Sequence, residues 1–129
     1  MTVSDYLANA ILDKILRGVD FVTANVYVSL HRANPGLTGV AECVGGSYSR
    51  QQVSTAGWAA AGSRLSSNLN AVQWLAMPSA ALSYVGLWDS PSNGNFLIGG
   101  PMTSPATLIL SAAGDTFQYN PGKLLVTFL

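Results

Sequence analysis

The sequence has few charged side chains: only 12 of its 129 residues are Asp, Glu, Lys or Arg, six of each sign. Soluble domains usually carry charge at about a quarter of their positions. Because the two signs balance, the chain also lacks the net charge that keeps protein surfaces apart. A basic surface for binding nucleic acid is therefore not expected. We expect neighbouring proteins in an assembly to cover much of the uncharged surface; the alternative is a neutral monomer with a Ser, Asn, Thr and Gly surface.

Cysteine and histidine each occur once, as Cys43 and His31. One cysteine cannot form a disulfide within the chain or supply a cysteine-rich zinc site. Catalysis by a nucleophile and a histidine would have to use His31, and a lone histidine in a strand is more often structural or on the surface. The six carboxylates lie scattered, without the spacing of a calcium loop or a zinc-binding helix. We therefore predict a protein that is not an enzyme and has no metal site and no cofactor.

Long apolar runs are absent as well, and apolar residues instead recur at regular spacings. A membrane helix would need about 20 such residues in succession, so no membrane partner is expected. Leu7, Ile11 and Ile15 recur every four residues, which predicts a helix with one apolar side. The segment Thr2–Asp5 offers a capping box and Gly18 a C-terminal stop, so the predicted helix occupies residues 1–18. Its apolar side requires cover, either from its own domain or from a neighbour.

After the predicted helix the apolar period changes to two, which is typical of β-strands. Val26, Val28 and Leu30 alternate with Tyr27, Ser29 and His31 and predict a strand with one face inward. About seven to nine such segments, separated by Gly, Pro, Asn and Asp turns every 8–12 residues or so, indicate an antiparallel sandwich or barrel. The predicted strands are 26–31, 48–53, 64–69, 71–77, 82–88, 96–98, 107–110, 116–119 and 123–129. We predict one mainly β domain over residues 1–129, with the helix at 1–18 and the β-sandwich at 19–129.

Interface residues are expected among the helix stripe, the last strand and the arginines. The last strand is apolar on both faces, which is typical of a sheet interior or a subunit interface. Arginine is enriched at interface hot spots because its planar fork makes several directed hydrogen bonds. An exposed, solubilising charge is an equally good interpretation of each arginine. The predicted interface residues are Leu7, Ile11, Ile15, Arg32, Arg50, Arg64, Leu125 and Leu129.

An ordered set of short motifs covers most of the chain. The motifs are NAILD at 9–13, VYVSLH at 26–31, ANPG at 33–36, TG at 38–39, GGSYSRQ at 45–51, GLWD at 86–89, GNFL at 94–97, AGDT at 113–116 and PGKL at 121–124. None is diagnostic alone, but together and in this order they are moderately specific. By them the chain resembles a family of small virion proteins of tailed bacteriophages, often labelled phage tail fibre protein.

The resemblance implies a β-rich, multimeric structural protein that is assembled in the host bacterial cytoplasm and resides in the virion. One interpretation is a capsid decoration or cement protein that binds the major capsid protein or other virion proteins, or itself as a homo-oligomer such as a trimer. Such a protein stabilises the assembled shell by mass action. The other interpretation is a tail, tail-fibre or baseplate component, for which contact with host glycans is expected. The lack of a long repetitive shaft favours the cement interpretation.

Overall fold

The computed structural model describes residues 1–103 and 105–128, which form mainly antiparallel strands with one N-terminal helix. The predicted fold class, a mainly β and sandwich-like domain with this helix, is confirmed. The elements are β1 (Thr2–Val3), α1 (Asp5–Arg17), β2 (Asn25–His31), β3 (Gln51–Ser54), a 3-10 turn (Thr55–Gly57), β4 (Leu65–Ser67), β5 (Val72–Met77), β6 (Ala80–Leu82), β7 (Tyr84–Trp88), β8 (Phe96–Pro101), β9 (Leu108–Leu110), β10 (Asp115–Tyr119) and β11 (Leu125–Thr127). Within the described ranges, no helix is long and apolar enough to cross a membrane.

The strands form one large sheet and three two-stranded ribbons. The large sheet has the order β1-β8-β7-β2-β3, and the ribbons pair β5 with β10, β6 with β9 and β4 with β11. The chain passes from β6 into β7 through Ser83, whose carbonyl accepts a hydrogen bond from the Met102 N–H at 2.9 Å. This crossing divides the strand predicted over 82–88 into two, because the chain turns from a ribbon into the sheet at Ser83.

The large sheet and the ribbons share one hydrophobic core. Leu30, Trp74, Met77, Leu82 and Leu124 each expose 1% of their surface or less. Burial of apolar side chains of this size stabilises a fold by about 1.5–3 kcal/mol each. The core therefore fixes how the ribbons lie against the sheet.

The helix starts later than the sequence predicts. Thr2 and Val3 pair with β8 as β1, so the predicted capping box at Thr2 is wrong. Ser4 is the N-cap instead, and its hydroxyl accepts a hydrogen bond from the Leu7 N–H at 3.1 Å. Gly18 ends the helix with a φ of 68°, as predicted, because a residue without Cβ adopts this left-handed conformation without strain.

Two further strand predictions need correction. The prediction that β2 buries only one face is wrong, because Val28, Ser29, Leu30 and His31 are all fully buried. The last strand is shorter than predicted and pairs with β4 alone, so it does not lie inside a sheet. The buried Asn68 holds this ribbon in place, because its Oδ1 accepts a hydrogen bond from the Leu124 N–H at 2.9 Å.

Candidate functional site

Part of the loop 32–46, including Pro35, Gly39 and Val40, covers the face of the large sheet that points away from the main core. We call this the covered face, and it consists of Ser29, His31, Gly86, Trp88 and Phe96. The rings of Trp88 and Phe96 meet edge to face with centroids 5.1 Å apart. Gly39 of the covering segment lies so close to the Trp88 ring that a Cβ there would collide with it. The loop therefore packs as tightly as a core element, which explains why β2 is buried on both sides.

A chain of hydrogen bonds runs through the covered face. The Trp88 Nε1–H donates to Ser29 Oγ at 3.0 Å, and Ser29 Oγ lies 2.7 Å from His31 Nε2. On the other side of the ring, His31 Nδ1 lies 2.8 Å from the Val40 carbonyl. A carbonyl can only accept, so Nδ1 carries the hydrogen and Nε2 accepts from the Ser29 hydroxyl. The neutral imidazole thus ties β2 to the covering loop.

This pair of Ser29 and His31 has the spacing of a nucleophile and its base. Both residues are fully buried, however, and the far nitrogen of the ring faces a backbone carbonyl rather than a carboxylate. No substrate can reach the hydroxyl in this arrangement. Sequence reasoning missed Ser29, whose period-two spacing from His31 was the available signal.

Burial lowers the pKa of His31, against the opposing effects of the Val40 carbonyl and the Glu42 carboxylate; Arg50 lowers it further. The folded protein therefore keeps the ring neutral at pH values at which the unfolded chain protonates it. Unfolding then takes up a proton, so stability falls as pH drops below the ordinary histidine value of about 6.5. The loss levels off once the pH is below the folded pKa.

We expect a fall in pH to destabilise the wild type more than the variant His31→Gln, which lacks the titrating ring. As His31 is the only histidine, the difference between the two proteins isolates its titration. Between pH 7.5 and 5.5 the wild type should lose up to about 1.4 kcal/mol per pH unit more than the variant. Urea unfolding across this range measures both slopes. Equal slopes would mean that His31 protonates equally in the folded and unfolded states.

An ion pair joins the covering loop to the segment before β3. Arg50 Nε and Nη2 donate to the two carboxylate oxygens of Glu42 at 3.0 and 2.9 Å. The guanidinium carbon lies 3.6 Å from the centroid of the Trp88 ring, and Nη1 donates to the carbonyls of Ser90 and Asn93 at 3.0 and 2.8 Å. The Arg50 side chain is only 8% exposed. This arginine therefore connects the loop, the sheet and the β7–β8 turn from within.

Two further groups beside the ion pair are kept uncharged. The Tyr48 hydroxyl donates to Glu42 Oε1 at 2.8 Å and accepts from the Leu30 N–H at 3.1 Å. Burial and the Glu42 charge raise the pKa of Tyr48 well above its usual value, so the hydroxyl remains a donor. Burial also raises the pKa of the Cys43 thiol, which disfavours the reactive thiolate. Within the described ranges, no three His, Cys, Asp or Glu side chains lie close enough together to hold a metal ion.

The structure places the predicted interface residues in different surroundings. Arg50 is used inside the domain, whereas Arg32 and Arg64 are exposed. Leu125 is partly exposed on β11, and Leu129 lies outside the described residues. Along the helix, Leu7 and Ile11 are half-buried while Ile15 is 72% exposed. The predicted set therefore does not form one surface.

The second half of α1 and the segment after it carry an exposed apolar surface. We call it the helix patch, which consists of Leu12, Ile15, Leu16, Val19 and Val22. These side chains are between 44% and 86% exposed. The charges nearby are paired with each other, Lys14 with Asp20 at 2.8 Å and Arg17 with Asp13 at 3.2 Å. The apolar periodicity predicted part of this patch, but it did not indicate Val22.

A comparison with protein families identifies the chain. The model of the family described as Podophage GP4 fiber I protein gp80 matches residues 2–127. The chain belongs to this family. It is therefore a phage virion protein of the fibre type, as the resemblance implied, and this description favours the tail or fibre interpretation over capsid cement. No curated protein matches the chain.

Four of the motifs that carried the resemblance contribute to the covered face or to the ion pair beside it. VYVSLH contributes Ser29 and His31, GLWD contributes Gly86 and Trp88, and GNFL contributes Phe96. GGSYSRQ contributes the tyrosine and arginine that bind Glu42. These motifs are therefore explained by internal packing, and binding to other molecules has to be sought on the exposed surfaces.

Proposed function

We propose that the chain is a non-enzymatic structural component of a podophage tail or fibre and attaches to another virion protein through the helix patch. The exposure of the patch carries this proposal. Five large apolar side chains of α1 and the segment after it are exposed to water, in a chain with few charges to keep them solvated. Exposed apolar surfaces of this kind mark protein interaction sites. Membership of a phage fibre family supplies the setting in which such a site is used.

The energetics agree with attachment through the patch. Full burial of a Leu, Ile or Val side chain contributes about 1.5–3 kcal/mol, so covering the exposed parts contributes roughly 1–2 kcal/mol each. Part of this gain offsets the lost freedom of the partners. The charges beside the patch already pair with each other, so an approaching partner does not have to supply a countercharge. A neutral, apolar partner surface fits best.

The sealed Ser29–His31 pair supports the non-enzymatic part of the proposal. Its hydrogen-bonding groups are all used within the domain, and access to the hydroxyl would require the covering loop to open. Self-association, including a trimer, remains a prediction that sedimentation of the purified chain would measure.

We expect Ile15→Lys to reduce incorporation of the chain into particles at least tenfold, because a charge would be placed in the apolar contact. Ile109→Lys is the matched control, since Ile109 on β9 is also 72% exposed. A phage lacking the protein is complemented with tagged wild type or with each variant. Bound protein is quantified, and the tag is located by gold labelling in electron micrographs.

We expect the gold label at the tail or fibre. Ile109→Lys should be incorporated in the same amount as the wild type. Label spread over the head would overturn the fibre location and favour capsid decoration. Equal incorporation of both variants would overturn attachment through the helix patch. Thermal unfolding of the purified variants shows that any loss is not caused by misfolding.

A further inference from the structure

A cleft separates two strand edges that face each other. β3 is the last strand of the large sheet, and among the described residues β5 pairs only with β10. At one end the loop before β3 reaches β5, where the Ser47 N–H donates to the Ala76 carbonyl at 3.1 Å. Beyond this bond lies a cavity of about 610 Å³ that is lined by residues of β3, β5 and the segments before them. The sandwich is therefore open along this side.

A β-bulge in β5 accompanies the opening. Met77 pairs with Asp115 and Trp74 with Phe117, so two residues of β5 lie opposite one residue of β10. One of the two, Ala76, has a φ of 49°. For a residue with a Cβ this conformation costs about 1–2 kcal/mol. Bulges bend a strand and are common beside functional sites.

The two edges lack charged residues and prolines, although β5 carries a bulge and β3 is short. Natural edges are protected by lysine, proline, inward charges, bulges, short length or a covering segment. Neither Gln51–Ser54 nor Val72–Met77 contains a charged residue or a proline. The neighbouring Arg50 is held by Glu42 and points into the domain. Unpaired N–H and C=O groups on these edges are therefore open to another chain.

The lining of the cleft indicates which chemistry it accepts. Five of its nine lining residues carry hydroxyls or amides, namely Ser47, Ser49, Gln51, Gln52 and Gln73. The other four are apolar, and of these Leu75 is 60% exposed. No charged or aromatic residue lines it. Facing strand edges repeat their hydrogen-bonding groups along the strand with the same spacing of about 3.3 Å per residue as an extended peptide. A sugar would match the amides but not this repeat.

We propose that the cleft accepts an extended, uncharged segment of a neighbouring virion protein, which adds to β3 and β5 as a further strand. Recognition by strand addition takes its affinity from main-chain hydrogen bonds and its specificity from alternate side chains. β3 is four residues long, so the added segment pairs over a similar length. The inference goes beyond the helix patch: it rests on the chain being a virion protein and does not depend on its location at the tail or the head.

Hydrogen–deuterium exchange tests the proposal on the full-length chain without substitutions. Exchange is compared between the purified chain and purified phage particles. We expect amides in 49–54 and 71–76 to exchange at least tenfold more slowly in particles.

In the complementation assay, Gln73→Lys should reduce incorporation at least tenfold because it places a charge at the cleft. Gln118→Lys is the matched control: Gln118 is the exposed cross-strand partner of Gln73 on β10 and does not line the cleft.

Each outcome decides the proposal separately from the fibre location. Protection in the particle together with loss for Gln73→Lys alone supports the added strand, wherever the gold label lies. Equal exchange in both states, or equal incorporation of the two variants, overturns it. Protection of the same amides in the purified chain by a neutral oligosaccharide, without protection in particles, would overturn it in favour of a glycan site.

Discussion

Arg50→Ala is expected to lower the free energy of unfolding by about 3–5 kcal/mol. Removing one partner of a largely buried ion pair costs up to this amount because the other charge, here the 20% exposed Glu42 side chain, is left without compensation. Here the loss includes both bonds to Glu42, the bonds to two carbonyls of the β7–β8 turn and the stacking on Trp88. Urea unfolding at pH 7.5, followed by tryptophan fluorescence, measures the change.

Arg17→Ala is the control for this substitution. Arg17 also pairs with a carboxylate, that of Asp13 at 3.2 Å, but its side chain is 69% exposed. Exposed pairs contribute little because water and salt screen them, so no resolvable change is expected. A similarly small effect of Arg50→Ala would show that the covering loop holds its position without the ion pair. Arg50→Lys should recover only part of this stability, because lysine keeps a positive charge beside Glu42 but cannot reproduce the bidentate contact or the stacking.

Gly86→Ala is expected to cost about 3 kcal/mol. A Cβ at this position would lie 2.6 Å from Phe96 Cε1, 2.8 Å from Ser29 Oγ and 2.9 Å from His31 Nε2. None of these groups can move freely, because the covering loop packs over them and the hydrogen-bond chain fixes the polar pair. Overpacking of a filled interior costs about 1–3 kcal/mol and occasionally more. The same unfolding measurement gives the value, and near-ultraviolet circular dichroism reports the packing of Trp88.

Gly62→Ala provides the comparison, because a Cβ on Gly62 would meet open space. Its stability should stay within about 0.5 kcal/mol of the wild type, or rise slightly as the unfolded chain loses freedom. Equal stabilities of the two alanine variants would mean that the covered face is packed more loosely than these distances indicate.

Arg50→Ala and Gly86→Ala separate the interior role of the motifs from binding. Gly86 is part of the covered face and Arg50 stacks on its Trp88, and the polar groups there are satisfied within the domain. Neither touches the helix patch or the cleft between β3 and β5. A variant at the covered face should therefore lose stability first, and lose incorporation into particles only as the folded fraction falls.

Local patterns were sufficient to predict the fold class. The strands predicted at 82–88 and 96–98 are neighbours in the chain, and the structure pairs them as the β7–β8 hairpin. The four-residue spacing of Leu7, Ile11 and Ile15 predicts α1, and Gly18 marks its end. These features depend on residues close in the chain, whose side-chain periods and backbone preferences are visible in the sequence.

The surroundings of the functional surfaces depend on contacts between distant residues. The sequence leaves Arg50 open as an interface arginine or an exposed charge, whereas in the fold its partners, 8 residues away at Glu42 and 40 away at Ser90, enclose it. The sequence also does not show where loop 32–46 packs, because its contacts with the sheet face join residues that are distant in the chain. Likewise, two strand edges form a cleft only when separate parts of the chain are brought together.

The low charge of the chain is visible in its sequence, and it predicts that other proteins cover part of the surface. It does not say which surfaces are already covered by the protein itself. Composition and periodicity determine which elements form, because these depend on each residue and its near neighbours. Only tertiary packing decided that the covered face is internal while the helix patch and the cleft remain open, because burial is a property of the whole arrangement.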